Sequence, residues 1–303
     1  MMPGTVLVTG SAGVVGRRIT HRLKGLGYTP VGLDINGDAQ EIGNILDIER
    51  VTDLVAQCDG IIHCAAISRV AECQKNPTLA YSVNVEGTRN LVSAITRSRH
   101  RPWLIFCSSR EVYGNPISIP VSDDHPLQPQ NVYGLTKLLG EQMVTEAFGH
   151  KGRYAILRLT NVFGCPNDIS ERVIPSFVSS ALAHLPITIT GPERLFDFVH
   201  IDDVVEAVVG LMPFVEKKSL QAMLVSSGFG LTLRQLYAQI QAQTGTTSPV
   251  RFIESKAYEV QNFIGKGERL QALSGWKIQQ DFDVGLSEYI QKIRKQQLNR
   301  SAK

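Results

Sequence analysis

Charge, paired cysteines and long apolar runs are scarce in this chain of 303 residues, and each scarcity removes a class of protein. No stretch approaches the roughly eighteen uninterrupted apolar residues of a membrane-spanning helix, so no membrane partner is expected. Lys and Arg total 31 against 28 Asp and Glu, and a formal net charge of +3 is too small to argue for a nucleic-acid partner. Most of that excess lies in the tail from Lys292 to Lys303, which reads as a solvated helix end. The five cysteines, Cys58, Cys64, Cys73, Cys107 and Cys165, show no CxxC pairing, and no metal site is expected. Cys64 and Cys107 sit in apolar runs and read as small buried thiols. An odd cysteine count with no secretory leader fits a reducing, cytoplasmic setting. The N-terminus runs straight into Thr5–Thr9, which reads as a first strand and not a signal peptide.

What the chain does have is alternation. Val6–Thr9, Pro30–Leu33, Gly60–Cys64, Leu104–Ser108 and Ala155–Leu159 read as short strands whose near-continuous apolar character suits a parallel sheet covered on both faces. Helix-like stretches lie between them, near residues 14–26, 49–57, 78–99 and 133–149, with Pro77 suited to a first helical turn. Strands alternating with helices predict an α/β fold, a doubly wound parallel-sheet Rossmann domain. The rhythm changes after Gly164 and returns over 196–212. The division expected is therefore a nucleotide domain at 1–164 and 196–212, with a smaller, mixed C-terminal substrate lobe at 165–195 and 213–303.

The segment Thr9–Gly16, TGSAGVVG, follows the first strand and opens a helix. Gly10 suits a tight turn, Gly13 lets backbone approach a pyrophosphate, and Gly16 permits close helix–strand packing, with the helix N-terminus facing the phosphates. Ala12, Val14 and Val15 complete that loop. Asp34 ends the second strand, where a carboxylate meets the ribose diol of an adenosine and repels a 2′-phosphate. No Arg or Lys follows in Asp34-Ile35-Asn36-Gly37, so NAD is favoured over NADP.

Further motifs follow in order: Ile62-His63-Cys64-Ala65-Ala66, Asn84-Val85-Glu86-Gly87-Thr88, Ser108-Ser109-Arg110-Glu111-Val112-Tyr113-Gly114, Tyr133-Gly134-Leu135-Thr136-Lys137, Arg158–Gly164 and Asp197–Val204. With the glycine loop they resemble the NAD-dependent epimerase/dehydratase family of extended short-chain dehydrogenases/reductases, and within it the nucleotide-sugar 4-epimerases. The residues themselves carry a chemistry. Tyr133 and Lys137 are four apart and share a helix face. An ammonium beside a phenol favours phenolate, so Tyr133 is expected to have a lowered pKa and to act as general base on a hydroxyl. Ser109, at a strand end, holds the oxygen as it becomes a carbonyl. The resemblance assigns those same roles to Ser109, Tyr133 and Lys137, and adds that Lys137 binds the nicotinamide ribose. It also places Asn44 and Ile45 beside the adenine and Cys64, Ala65 and Ala66 beside the cofactor. Asn84 would fix a loop at the site, and Asn161 and Ile174 would contact a sugar nucleotide. Ser68, Arg110, Arg194 and Arg269 complete the candidate substrate contacts. Asp202-Asp203 reads as a helix cap.

Which reaction follows is left open between alternatives. The leading expectation is an NAD-dependent nucleotide-sugar epimerase acting at C4. Glu111 keeps open a nucleotide-sugar 4,6-dehydratase or a decarboxylase, although Arg110 stands where deoxythymidine-sugar dehydratases carry an acid. Phe196 stands where sugar-nucleotide members carry a pyrophosphate-binding arginine, with Arg194 and Arg269 as substitutes. That departure keeps open an NAD-dependent dehydrogenase acting on a free sugar, a uronate or another small hydroxyl substrate. A cofactor-sensing binding protein without turnover is the reading from another class. By analogy with the family, helices 78–99 and 133–149 would pair two copies into a homodimer.

Overall fold

Near-continuous apolar strands cannot face water on either side. The computed structural model, which describes residues 4–37 and 39–301, buries them at the centre of one sheet. In chain order the strands are β1 (Thr5–Thr9), β2 (Thr29–Asp34), β3 (Glu41–Ile42), β4 (Gly60–His63), β5 (Trp103–Ser109), β6 (Val121–Ser122) and β7 (Tyr154–Leu159). They continue with β8 (Asn161–Phe163), β9 (Ile187–Thr190), β10 (Leu195–His200), β11 (Met223–Val225), β12 (Gly230–Thr232), β13 (Val250–Ile253) and β14 (Gly265–Lys266). Seven form a sheet in the order β11-β7-β5-β4-β1-β2-β3. Every pairing in it is parallel. The order runs outward from β1 in both directions, and that reversal opens a crevice beyond the carboxyl ends of β1 and β4.

The helices are α1 (Val14–Gly25), α2 (Ile48–Val55), α3 (Val70–Lys75), α4 (Pro77–Tyr81), α5 (Gly87–Arg97), α6 (Val132–Phe148), α7 (Val173–Leu182), α8 (Ile201–Val215), α9 (Leu233–Thr244), α10 (Glu268–Ser274) and α11 (Phe282–Ser301). One core packs α1 and α8 under the sheet through Ile19, Leu23, Val204 and Val208; the opposite face is covered through Val51, Val55, Leu91 and Ile95 of α2 and α5. The doubly wound sheet is thus as expected. The long helix expected at 78–99 is not continuous. Pro77 opens α4, a π-helical stretch follows at Ser82–Glu86, and α5 resumes at Gly87.

A second core, with Phe177, Phe198, Leu236 and Ile290, belongs to a smaller lobe. Its three-stranded sheet, β12-β10-β8, is mixed, since β10 runs antiparallel to β12 and parallel to β8. Residues 195–200 therefore lie in the lobe's sheet, while Met223–Val225 forms the edge of the large one. Asp202 and Asp203 do not cap α8, contrary to the sequence reading. The His200 ring does, accepting from the Asp202 N–H at 3.3 Å, so both aspartates fall in the first turn. There Asp203 accepts from the backbone of Gln279 and Gln280. The basic tail continues α11 through Ser301, and residues 302 and 303 lie outside the described residues. Among the described residues no helix is long and apolar enough to cross a membrane.

Candidate active site

The crevice begins where β1 gives way to α1. Gly10 takes a φ of 71°, and a Cβ there would stand 2.7 Å from the Ala65 nitrogen. A Cβ at Gly16 would overlap the Gly10 carbonyl oxygen, so α1 lies directly against the loop. Gly13 is exposed, is the N-cap of α1 and supplies no side chain to its N–H groups; the first turn carries no acid. An open helix N-terminus with no side chain in the way is what a pyrophosphate needs. Asp34 is drawn against this loop, one carboxylate oxygen accepting from Ala12 N at 3.0 Å and the other from Asn36 N at 3.0 Å. Val14, Val15, Ala65 and Ala66 are partly buried on the crevice walls, and Ile35 is exposed. These residues fit a dinucleotide: a bare main-chain cradle, small side chains and a carboxylate at its far end. Asn44 turns its side chain onto Leu46 N at 3.0 Å. Ile45 is buried in the core against Gly87, so only its backbone is left to offer a ligand.

Two buried groups hold the loops in register. Asn84, on the π-helical stretch, accepts from Ile67 N at 2.8 Å and donates to both Ile67 O and Thr136 Oγ1 at 3.0 Å. It ties the loop after β4 to α6. His63 bridges Thr9 Oγ1 at 2.6 Å and Thr88 Oγ1 at 3.0 Å. Thr88 spends its proton on Asn84 O, so the histidine donates from Nε2 and accepts from Thr9 at Nδ1, a neutral tautomer assigned from the network. Burial, helped by the nearby Lys137 ammonium, lowers its pKa to about 3.

Ser109, Glu111 and Tyr133 meet where β5 ends and α6 begins. Ser109 caps the short turn at Arg110–Val112, its Oγ accepting from Glu111 N at 3.2 Å. Asn131 caps α6, accepting from Gly134 N at 2.8 Å and donating to Glu111 Oε2 at 2.7 Å. A Cβ at Gly134 would overlap the Glu111 carbonyl oxygen, so helix and strand end touch through backbone. This contact brings the Tyr133 phenol near the Ser109 side chain, which acts to lower the phenol's pKa.

The Tyr133 phenol is held well above the ordinary tyrosine range, not below it, because burial outweighs every favourable charge. The charge that opposes burial most is the Arg172 guanidinium, not Lys137. Lys137 is buried with its ammonium 4.3 Å from the centroid of the Phe106 ring. Burial lowers its pKa, opposed chiefly by Cys107 and Cys64 and then by Glu141. Arg172, absent from the sequence reading, opens α7, donates to Ser68 Oγ at 3.0 Å and lies 3.4 Å from Asp168. The one signal for it in the sequence is a basic residue just ahead of Ile174-Pro175.

Beyond the β5 end, arginines and buried phenylalanines interleave. Arg110 pairs with Glu111 at 2.9 Å and stands 5.6 Å from the Phe196 ring and 5.4 Å from Phe263. Arg194 stands 4.9 Å from Phe196 on its own account. Its donors go to Val260 O, at 3.1 and 2.9 Å, and to Glu259 at 3.2 Å. Arg269 is not brought to this group. It faces Ala222 O, just ahead of β11, and Asp124, just after β6. Asn161 donates to Asp197 O at 3.0 Å, and the Ile174 side chain is in the lobe core. No cluster of metal-binding side chains occurs among the described residues.

Comparison with known proteins matches residues 6–223 to the model of the NAD dependent epimerase/dehydratase family. A UDP-glucose 4-epimerase of Rhizobium meliloti (strain 1021) is 27% identical over 310 residues, covering 93% of this chain and 94% of the relative. The solved structure of MoeE5 in complex with UDP-glucose and NAD superposes with a TM-score of 0.90 at 23% identity, covering 97% of this chain and 100% of that one. A double mutant of DesIV, a dTDP-glucose 4,6-dehydratase from Streptomyces venezuelae with NAD bound, gives 0.89 at 22% identity, covering 98% of each chain.

Proposed function

Since the chain belongs to the NAD dependent epimerase/dehydratase family, we propose that it is a nucleotide-sugar 4-epimerase whose general base is Tyr133. The observation that carries this reading is the Tyr133 phenol lying near Ser109, where the head of α6 meets the Glu111 carbonyl, in a fold whose glycine cradle fits NAD. When bound, NAD supplies a hydride acceptor and a cationic ring next to the phenol. Tyr133 Oη takes the proton of the sugar hydroxyl, and Ser109 Oγ donates to that oxygen as it becomes a carbonyl. Arg172 supports the phenolate, and burial excludes water while the keto sugar turns over. The same phenol returns the proton from its fixed place at the head of α6. The sugar would rest against the smaller lobe, within reach of Ser68, Asn161 and Arg172.

Glu111 speaks against elimination. One of its oxygens is paired with Arg110 and the other accepts from Asn131, so both are engaged. A second reading has an observation of its own. Arg194 spends its donors on Val260 and Glu259, which favours a substrate with no diphosphate, a free sugar or uronate oxidised outright. Exposed Leu79, Tyr81 and Leu135 on α4 and α6 support a homodimer through these helices.

The test is to incubate purified protein with UDP-glucose and other UDP-hexoses and UDP-uronates, and to resolve the products by chromatography and mass. A C4 epimer of unchanged mass is expected. Loss of water or carbon dioxide would move the assignment to dehydratase or decarboxylase. Stoichiometric NADH absorbance on adding a free sugar would move it to dehydrogenase, and no interconversion at any carbon overturns the epimerase.

A further inference from the structure

Two thiols face each other at the floor of the crevice. β4 and β5 are parallel neighbours with His63 opposite Phe106, so Cys64 and Cys107 are the next pair in register. Their sulfurs are 3.4 Å apart, and neither is in a disulfide. Neighbouring strands lie about 4.7–4.9 Å apart, inside the Cα separation of about 4.4–6.8 Å that a disulfide tolerates. Cys107 is buried, whereas Cys64 is only partly buried, directly before Ala65 and Ala66 on the crevice wall. The Lys137 ammonium favours thiolate at both sulfurs, and the contact between them divides the roles: the hydrogen bond to Cys107 and burial push the Cys64 thiol up, while the same bond brings Cys107 down.

We propose that Cys64 and Cys107 are an oxidative modification site, converted by hydroperoxides into a disulfide that weakens NAD binding until a thiol reduces it. The Cys64 thiol passes its proton to the Cys107 sulfur and attacks one oxygen of hydrogen peroxide; the O–O bond breaks, leaving a sulfenic acid and hydroxide, which takes up a proton to become water. The Cys107 sulfur then attacks the sulfenic sulfur, the S–O bond breaks, and a second water leaves. Two thiols and one peroxide give one disulfide and two waters, a two-electron oxidation of sulfur. The new bond draws both sulfurs together beside Lys137 and fixes the turn at Ala65–Ala66.

The test treats the full-length protein, free of reductant, with hydrogen peroxide, followed by non-reducing digestion and mass spectrometry. The expected product is one peptide pair joined through Cys64 and Cys107, two hydrogens lighter than the dithiol and restored by dithiothreitol. In Cys107→Ser the cross-link is lost and Cys64 proceeds to sulfinic and sulfonic acids. Unreacted thiols, over-oxidation of Cys64 in the native chain without cross-linking, or a link to Cys73 instead would overturn the proposal. Calorimetry with NAD is the second arm, with weaker binding by the cross-linked form than by the reduced form expected and equal affinity overturning it. Neither arm requires a sugar substrate, so failure of the epimerase reading leaves both outcomes readable.

Discussion

From Thr9 to Gly16 the nucleotide side of the crevice offers main-chain N–H groups and bare glycines, braced from behind by His63 and Asn84. The wall proposed for the substrate, Arg110, Phe196, Phe263 and Arg194, consists of long side chains paired to one another and to Glu111 and Glu259. The first wall works by what is missing, since any Cβ at Gly10 or Gly16 meets backbone. The second works by mutual satisfaction of buried charge. A backbone wall is set once the sheet forms and suits an invariant ligand. A side-chain wall can be altered residue by residue and suits a ligand that differs between relatives.

Four substitutions probe that contrast. Tyr133→Phe, at the seam of the two walls, is expected to cost about 10²–10⁴-fold in turnover while NAD binding, measured by calorimetry, holds. Loss of both together would mean that the seam also carries the cofactor. Arg110→Met leaves the Glu111 carboxylate buried without its cation, and denaturant unfolding should register a loss of roughly 3–5 kcal/mol. A loss below about 1 kcal/mol, the range of exposed pairs, would show that the second wall is not held by its charges. Gly16→Ala pushes a methyl into the Gly10 carbonyl; about 1–3 kcal/mol of stability and a weaker NAD affinity are expected. Unchanged affinity would break the account of the first wall. Arg172→Gln should act least. Removing the guanidinium disfavours phenolate, raises the phenol pKa further and moves the rising limb of kcat/KM to higher pH. A limb that stays in place would remove Arg172 from the chemistry.

The same contrast explains what could be read from the chain alone. The cradle is local: contiguous residues encode strand, turn and helix start, and all five expected strands fall within β1, β2, β4, β5 and β7 or one residue beyond. Tyr133 and Lys137 do share α6, but spacing says nothing of depth, and burial reverses the expected sign on the phenol. Arg172 arrives on a segment from the other lobe, a placement no periodicity encodes. Arg194 and Arg269 illustrate the converse. Both have the right charge, yet one is bound to Val260 and Glu259 and the other to Ala222 and Asp124. A break in a helix at Ser82–Glu86 is equally invisible, although it is what aims Asn84 at the loop after β4.

Gly134 acts as a spacer of zero thickness. Because the head of α6 rests on the Glu111 carbonyl, the gap between the two hydroxyls is gauged by peptide against peptide and not by any side chain that can swing. A methyl group at 134 would wedge the helix outward and leave both hydroxyls present, intact and stranded. An inventory of functional groups would find such a protein complete, and its silence would be a fault of alignment alone.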